Sequence, residues 1–244
     1  MEWSDEGIVL SVRPHGETAA VVEILTRRHG RHLGLVHGGR SRKLRPVLQI
    51  GNHVDATWKA RLAEQLGHVT LDLRRGYAAA AMDDAFALAG LTALAALARL
   101  LPERDPHPSL YEITLFVLGY LDDPQVWPAL YVRWELALLD EMGFGLDLAS
   151  CAATGGNDAL VYVSPKSGRA VSASAGEPYK DRLLRLPPFL APGRHDGVRA
   201  GDVADGLALT GRFLDERILR PRGDTMPDPR GRLVELVMRA ADRK

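Results

Sequence analysis

The period of the hydrophobic pattern changes once, at Tyr77, and nothing else in the sequence restricts the fold as strongly. Before it the chain is rich in β-branched residues and punctuated by Gly, and Gly7–Arg13, Thr18–Thr26, Arg31–Val36, His53–Arg61 and Gly67–Leu73 each read as a strand. Short strands joined by tight turns fit a small closed barrel. The clearest alternation runs from Val54 to Arg61 and sets Lys59 and Arg61 on the face opposite Ala56, Trp58 and Ala60. Beyond Tyr77 the Ala- and Leu-rich segments Tyr77–Leu101, Ser109–Leu121, Pro124–Met142, Pro178–Leu186, Ala200–Leu219 and Arg230–Ala241 read as helices. Asp123-Pro124 reads as an N-cap with Pro at the first helical position, Pro221–Pro229 reads as a connector, and Asp83-Asp84 and Asp122-Asp123 fall at expected helix starts.

The expected fold class is therefore α+β and multidomain: a barrel over residues 1–76, then a helical domain over 77–244 that includes a small Gly-rich segment at 151–176 with a strand at Leu160–Val163. With 244 residues and 46% hydrophobic content, the chain has the material for a real core, which excludes disorder and collagen-like repeats. The single cysteine excludes an internal disulfide. The uncharged run Ala85–Ala98, 14 residues long, is too short to cross a bilayer, which takes ~20. With no signal peptide visible, a cytoplasmic protein is expected.

A balance of 31 basic and 31 acidic residues looks unfavourable for nucleic acid, but the balance is local nowhere. Residues 1–80 hold 12 Lys+Arg against 8 Asp+Glu, residues 81–150 hold 3 against 11, and residues 151–244 hold 16 against 12. Between Glu23 and Asp55 no acid interrupts Arg27, Arg28, Arg31, Arg40, Arg42, Lys43 and Arg45. Gly38 and Gly39 open the second of these basic loops, where a bare backbone can approach a phosphate. The bland alternative is a solvated basic face without a ligand; seven cations without an intervening acid favour phosphate binding. Both loops are expected to project from the same small barrel. The only aromatic residues of 1–76 other than histidine are Trp3 and Trp58, and Trp58 alternates into the core, so binding is expected to be mainly electrostatic and weakly selective for sequence.

Other chemistry is poorly supported. His29, His32 and His37 lack a nearby carboxylate or thiol to complete a metal shell. No phosphate-loop, dinucleotide, zinc-protease or serine-hydrolase motif occurs. Cys151 reads as a small buried hydrophobe, with a thiol nucleophile as the alternative. Arg133, in Val132-Arg133-Trp134-Glu135, is the one basic residue between Arg104 and Lys166, and pairs either with a neighbouring Glu or with a partner's carboxylate.

Taken together, Gly7-Ile8-Val9-Leu10, His15-Gly16-Glu17-Thr18, Gly30-Arg31-His32, Gly38-Gly39-Arg40-Ser41, Arg133-Trp134-Glu135-Leu136 and Met142-Gly143-Phe144 resemble, in order and spacing, the bacterial recombination mediator family RecO. The resemblance implies an oligonucleotide-binding (OB) barrel followed by a helical domain, in a non-enzymatic protein that binds single- and double-stranded DNA, anneals complementary strands without ATP and assists RecA loading with RecR. It implies a DNA surface of Arg27, Arg28, Arg31, Arg40, Arg42, Lys43 and Arg45, to which alternation adds Lys59 and Arg61. It also implies contact with the acidic C-terminal tail of the single-strand-binding protein, for which Arg133 is the candidate. Many members of that family carry a zinc module of two Cys-x-x-Cys pairs; here the corresponding segments read Cys151-Ala152-Ala153-Thr154 and Ser172-Ala173-Ser174-Ala175, so no metal and no other cofactor is expected. The alternatives are an RNA-binding OB-fold protein of translation or ribosome assembly, and a hydrolase or transferase dependent on Cys151.

Overall fold

One long strand organises the first part of the chain. Strand β1 (Glu2–His15) pairs through residues 2–8 with β4 (His53–Lys59) and through residues 7–15 with β2 (Ala19–Thr26), and a register shift between Val9 and Ser11 bends it from one partner to the other. Such an irregularity adds the curvature that closing a small sheet requires. Strands β3 (Gly30–Val36) and β5 (His68–Arg75) complete a closed barrel of order β1-β2-β3-β5-β4, its seam the parallel pairing of Leu35 with His68. This is the OB topology. Val9, Val22, Ile24, Val36, Val54, Ala56, Trp58, Val69 and Leu71 fill the interior.

The computed structural model describes residues 1–62, 64–193 and 197–242. Two compact units emerge, Met1–Pro124 and Gln125–Lys244, so the first helices belong with the barrel although the strand region itself ends at Arg75. Where one helix was expected over Tyr77–Leu101, the chain forms α1 (Tyr77–Ala81) and α2 (Ala85–Ala98). The break lies at Asp84, whose side chain accepts from Phe86 N at 2.8 Å and starts α2 afresh. Helix α2 packs on β1, and Gly51 (φ +85°) leaves room for Leu91: a Cβ there would lie 2.2 Å from Leu91 Cδ1. Helix α3 (Pro108–Leu118) ends this unit's helices. Asp122-Asp123 sit in the turn after it, not at a helix start, with Asp123 N bonded to Tyr120 O at 2.9 Å.

In the second unit α4 (Trp127–Glu141) starts three residues later than the Asp123-Pro124 signal suggested, and Pro128 occupies its first turn. Strand β6 (Leu160–Val163) is the centre of a small sheet between β7 (Ala170–Ser172) and β8 (Leu184–Arg185). A helix over Pro178–Leu186 is not formed. After the single-turn α5 (Ala173–Gly176), Glu177–Arg182 is a 3₁₀ turn, and the chain then extends to pair Leu184 with Val163 and Arg185 with Tyr162, a long-range pairing that local propensity does not report. Helix α6 (Ala200–Phe213) widens into π turns at Leu214–Leu219 and runs into α7 (Arg220–Arg222), so the connector to α8 (Asp228–Ala241) is shorter than expected. Glu135 of α4, Thr210 of α6 and Arg230 of α8 meet in a buried cluster: Arg230 Nε and Nη2 donate to Glu135 at 2.7 and 2.9 Å, and Thr210 Oγ1 donates to Glu135 as well. Among the described residues no helix is long and apolar enough to cross a membrane.

Candidate nucleic-acid interface

Strand β2 separates the two basic loops. The turn holding Arg27 and Arg28 follows its last residue, whereas the Gly38–Arg45 loop is tied to the turn before its first: Arg40 N bonds Thr18 O at 3.1 Å, and the Arg40 guanidinium donates to Gly16 O and Glu17 O at 3.1 and 3.0 Å. Eight strand residues at ~3.4 Å each lie between them. Both loops belong to the same barrel, but the hairpin register sets them at opposite ends of β2.

The two ends also differ in how their cations are used. Arg27 pairs with Glu112 at 2.7 Å, and Arg28 Nε with Asp5 at 3.2 Å. Arg31, its side chain only 15% exposed, pairs with Glu23, and Arg99 reaches the same carboxylate at 2.7 Å. Burial pushes the Glu23 carboxyl up, but the hydrogen bonds and charges of Arg99 and Arg31 outweigh it and hold the group below its ordinary value. Asp5 is lowered likewise, burial being outweighed by bonds from Arg28, His29 and Glu6. Gly30 fits this junction because its φ is +68° and a Cβ would lie 2.1 Å from Asp105 O. Lys59 pairs with Glu2 at 2.8 Å. The Arg31–Glu23 pair is buried and structural, whereas the Arg27–Glu112 and Lys59–Glu2 pairs are half exposed and hold their cations only weakly.

At the opposite end the loop winds into helical turns, Arg45 N bonding Ser41 O at 3.1 Å and Leu48 N bonding Leu44 O at 2.9 Å. Leu44, Val47 and Leu48 pack on the barrel core, which leaves Arg42, Lys43 and Arg45 exposed. These three, with the exposed Arg61 of the β4–β5 loop, have no ion pair among the described residues. Arg40 is exposed but spends its guanidinium on the neighbouring turn.

Histidines form ring stacks that counting Trp, Tyr and Phe could not reveal. Trp58 is in the core, its Nε1 donating to Leu33 O and Leu66 O at 3.2 and 3.1 Å. Trp3 lies between Trp58 and His29, with ring centroids 5.7 and 4.3 Å away and near-parallel planes. At the seam His37 stacks on His68. The signal available in the sequence was only the number of histidines flanking the basic loops.

In the second unit Arg133 is exposed and donates to Phe189 O, at the rim of a shallow groove lined by Leu148, Ala149, Leu190, Ala191 and Pro192. Among the described residues no neighbouring Glu pairs with it. Cys151 is 1% exposed and accepts from Ser172 N at 3.3 Å. Burial raises its thiol, but bonds from Thr154 and Ser172 prevail and lower it to about 6. The two segments that correspond to cysteine pairs do lie together, joined by the bonds of Ser172 N and Ser172 Oγ with Cys151 Sγ at 3.3 and 3.5 Å. One thiol among hydroxyls is no donor set for zinc, and no group of three His, Cys, Asp or Glu suited to a metal occurs among the described residues.

A closed OB-type barrel with an unpaired basic loop at one end, joined to helices, defines the class: an oligonucleotide-binding-barrel protein with a helical extension. Family comparisons refine it. The model of the recombination protein O N terminal matches residues 1–76, and that of the recombination protein O C terminal matches residues 82–225. The chain is 56% identical over 241 residues to a DNA repair protein RecO of Methylorubrum extorquens (97% of this chain, 98% of the relative). It is 54% identical over 249 residues to that of Rhodopseudomonas palustris (100% and 98%), and 56% identical over 243 residues to that of Rhodospirillum centenum (98% and 96%). This chain belongs to the RecO family.

Proposed function

We propose that this protein is a non-enzymatic, cytoplasmic DNA-repair mediator that binds single- and double-stranded DNA at the Gly38–Arg45 end of its barrel, anneals complementary strands without ATP, and assists RecA loading together with RecR. The observation that carries the reading is the exposed, unpaired set Arg42, Lys43 and Arg45 in one loop of an OB-type barrel, while Arg27, Arg28 and Arg31 have carboxylate partners. Neutralising phosphates on two strands lowers their mutual repulsion and lets bases find register. The groove at Arg133 suits an acidic, apolar-tipped peptide such as the tail of the single-strand-binding protein: a guanidinium for the carboxylate beside aliphatic walls.

Salt-titrated binding to single-stranded DNA, coupled to an annealing assay without ATP, tests the reading. Replacing Arg42, Lys43 and Arg45 by Ala should weaken binding and make the slope of log K against log salt shallower by roughly 2, at ~0.7 per phosphate. An unchanged slope would move the site elsewhere, and stronger binding to RNA of the same sequence would favour the RNA alternative. Arg133→Ala should lose an acidic C-terminal peptide while keeping DNA.

A further inference from the structure

We propose that His37 and His68 form a base-stacking platform beside the basic loop, so that this end of the barrel takes single-stranded nucleic acid with unstacked bases rather than phosphate alone. The inference rests on the DNA reading above and adds the part of the ligand that phosphate contacts leave unaddressed.

The two imidazoles stack with centroids 4.7 Å apart and planes 18° from parallel, and both residues are exposed. Their juxtaposition follows from the seam. Leu35 pairs with His68 and its N–H bonds Gly67 O at 2.9 Å, which brings the start of β5 beside the end of β3 and hence beside His37. His68 points outward because Val69 and Leu71 point in. His37 leads directly into Gly38 (φ +65°) and Gly39, where a Cβ would lie 2.8 Å from Ala20 Cβ, so the loop turns tightly against the barrel instead of swinging free. The unpaired cations Arg42, Lys43 and Arg45 follow within a few residues of His37, and Arg61 lies in the loop that ends at His68. Glu17 and Glu64 are the acids of the flanking turns.

A planar π-face next to unpaired cations is the combination by which proteins hold single strands, bases on the ring and phosphates on the charges. The other ring pile, Trp58–Trp3–His29, lacks it: His29 Nδ1 is 3.0 Å from Asp5 Oδ2, and Arg27 and Arg28 beside it are already paired.

The test compares an oligothymidylate with an abasic strand of the same length and charge, by fluorescence anisotropy on the full chain at low salt. The wild type should prefer the oligothymidylate at least about fivefold, the low end of what one base–aromatic stack contributes. His37→Ala/His68→Ala should abolish that preference and leave the salt slope unchanged, whereas His37→Phe/His68→Phe should keep it. Equal binding of both strands by the wild type would overturn the platform and spare the phosphate site, as would a preference that survives the Ala pair or is lost in the Phe pair. Binding of neither strand would overturn the DNA reading and the platform together.

Discussion

Removing the guanidinium of Arg230 should cost the second unit a large part of its stability. Glu135 is 0% exposed, and Arg230 is 5% exposed. Two charge-assisted bonds join them, at 2.7 and 2.9 Å, and Arg230 Nη2 also satisfies Leu207 O at 2.7 Å. Gly211 leaves the space for this head group, since a Cβ there would sit 2.8 Å from Arg230 Nη1. In Arg230→Met the carboxylate loses both guanidinium bonds and is left with neutral hydroxyls such as that of Thr210, and a buried charge without its counter-ion costs about 3–5 kcal/mol. With a urea slope near ~2 kcal/mol per M, the midpoint should fall by roughly 1.5–2.5 M. Urea unfolding read by hydrogen exchange at α4 and α6 isolates this unit from the barrel. Glu135→Met/Arg230→Met removes both charges and should recover most of the loss, because apolar replacements of a buried pair are often neutral. A single-variant loss below ~1 kcal/mol, or a double variant as costly as the two singles added, would refute the assignment of the energy to the ion pair.

At the barrel, Glu23→Gln should destabilise the first unit by about 1–3 kcal/mol, the usual cost of leaving buried polar groups ill-matched, while leaving the salt dependence of DNA binding as in the wild type. A steeper slope would show Arg31, released from Glu23, reaching phosphate and would return it to the DNA surface. Acid should weaken the same unit in two stages: His32 and His53, lowered by burial from an ordinary 6.5, resist protonation in the folded chain, and so do Asp5 and Glu23, lowered from 3.8 and 4.5. Each binds protons more readily when unfolded, so stability should decline as pH drops below 6.5 and again below 4.5, and a midpoint that rises between pH 7 and 5 would contradict this.

The barrel was legible because period-two alternation needs only neighbours in sequence: Val54, Ala56 and Trp58 face the interior as their spacing demands. Helix limits were less so. The break before Asp84, the late start at Trp127 and the extended Leu184–Arg185 depend on a cap, a turn and a strand partner that local pattern does not weigh. The candidate site was half legible. Seven cations could be counted, but not which carboxylates answer them, since Asp5 lies 23 residues from Arg28, and Glu112 is more distant still from Arg27.

Sequence alone determined that this chain has a strand region and a helical region, that its charges are segregated, and that its lone cysteine cannot build a zinc module. Only the tertiary structure decided which cations are free. A hairpin sends consecutive turns to opposite ends of a strand, and folding brought Asp5, Glu23 and Glu112 to Arg28, Arg31 and Arg27, and His68 to His37. Electrostatics and ring stacking act through space, so residues that are neighbours in sequence can serve opposite purposes once the chain is folded.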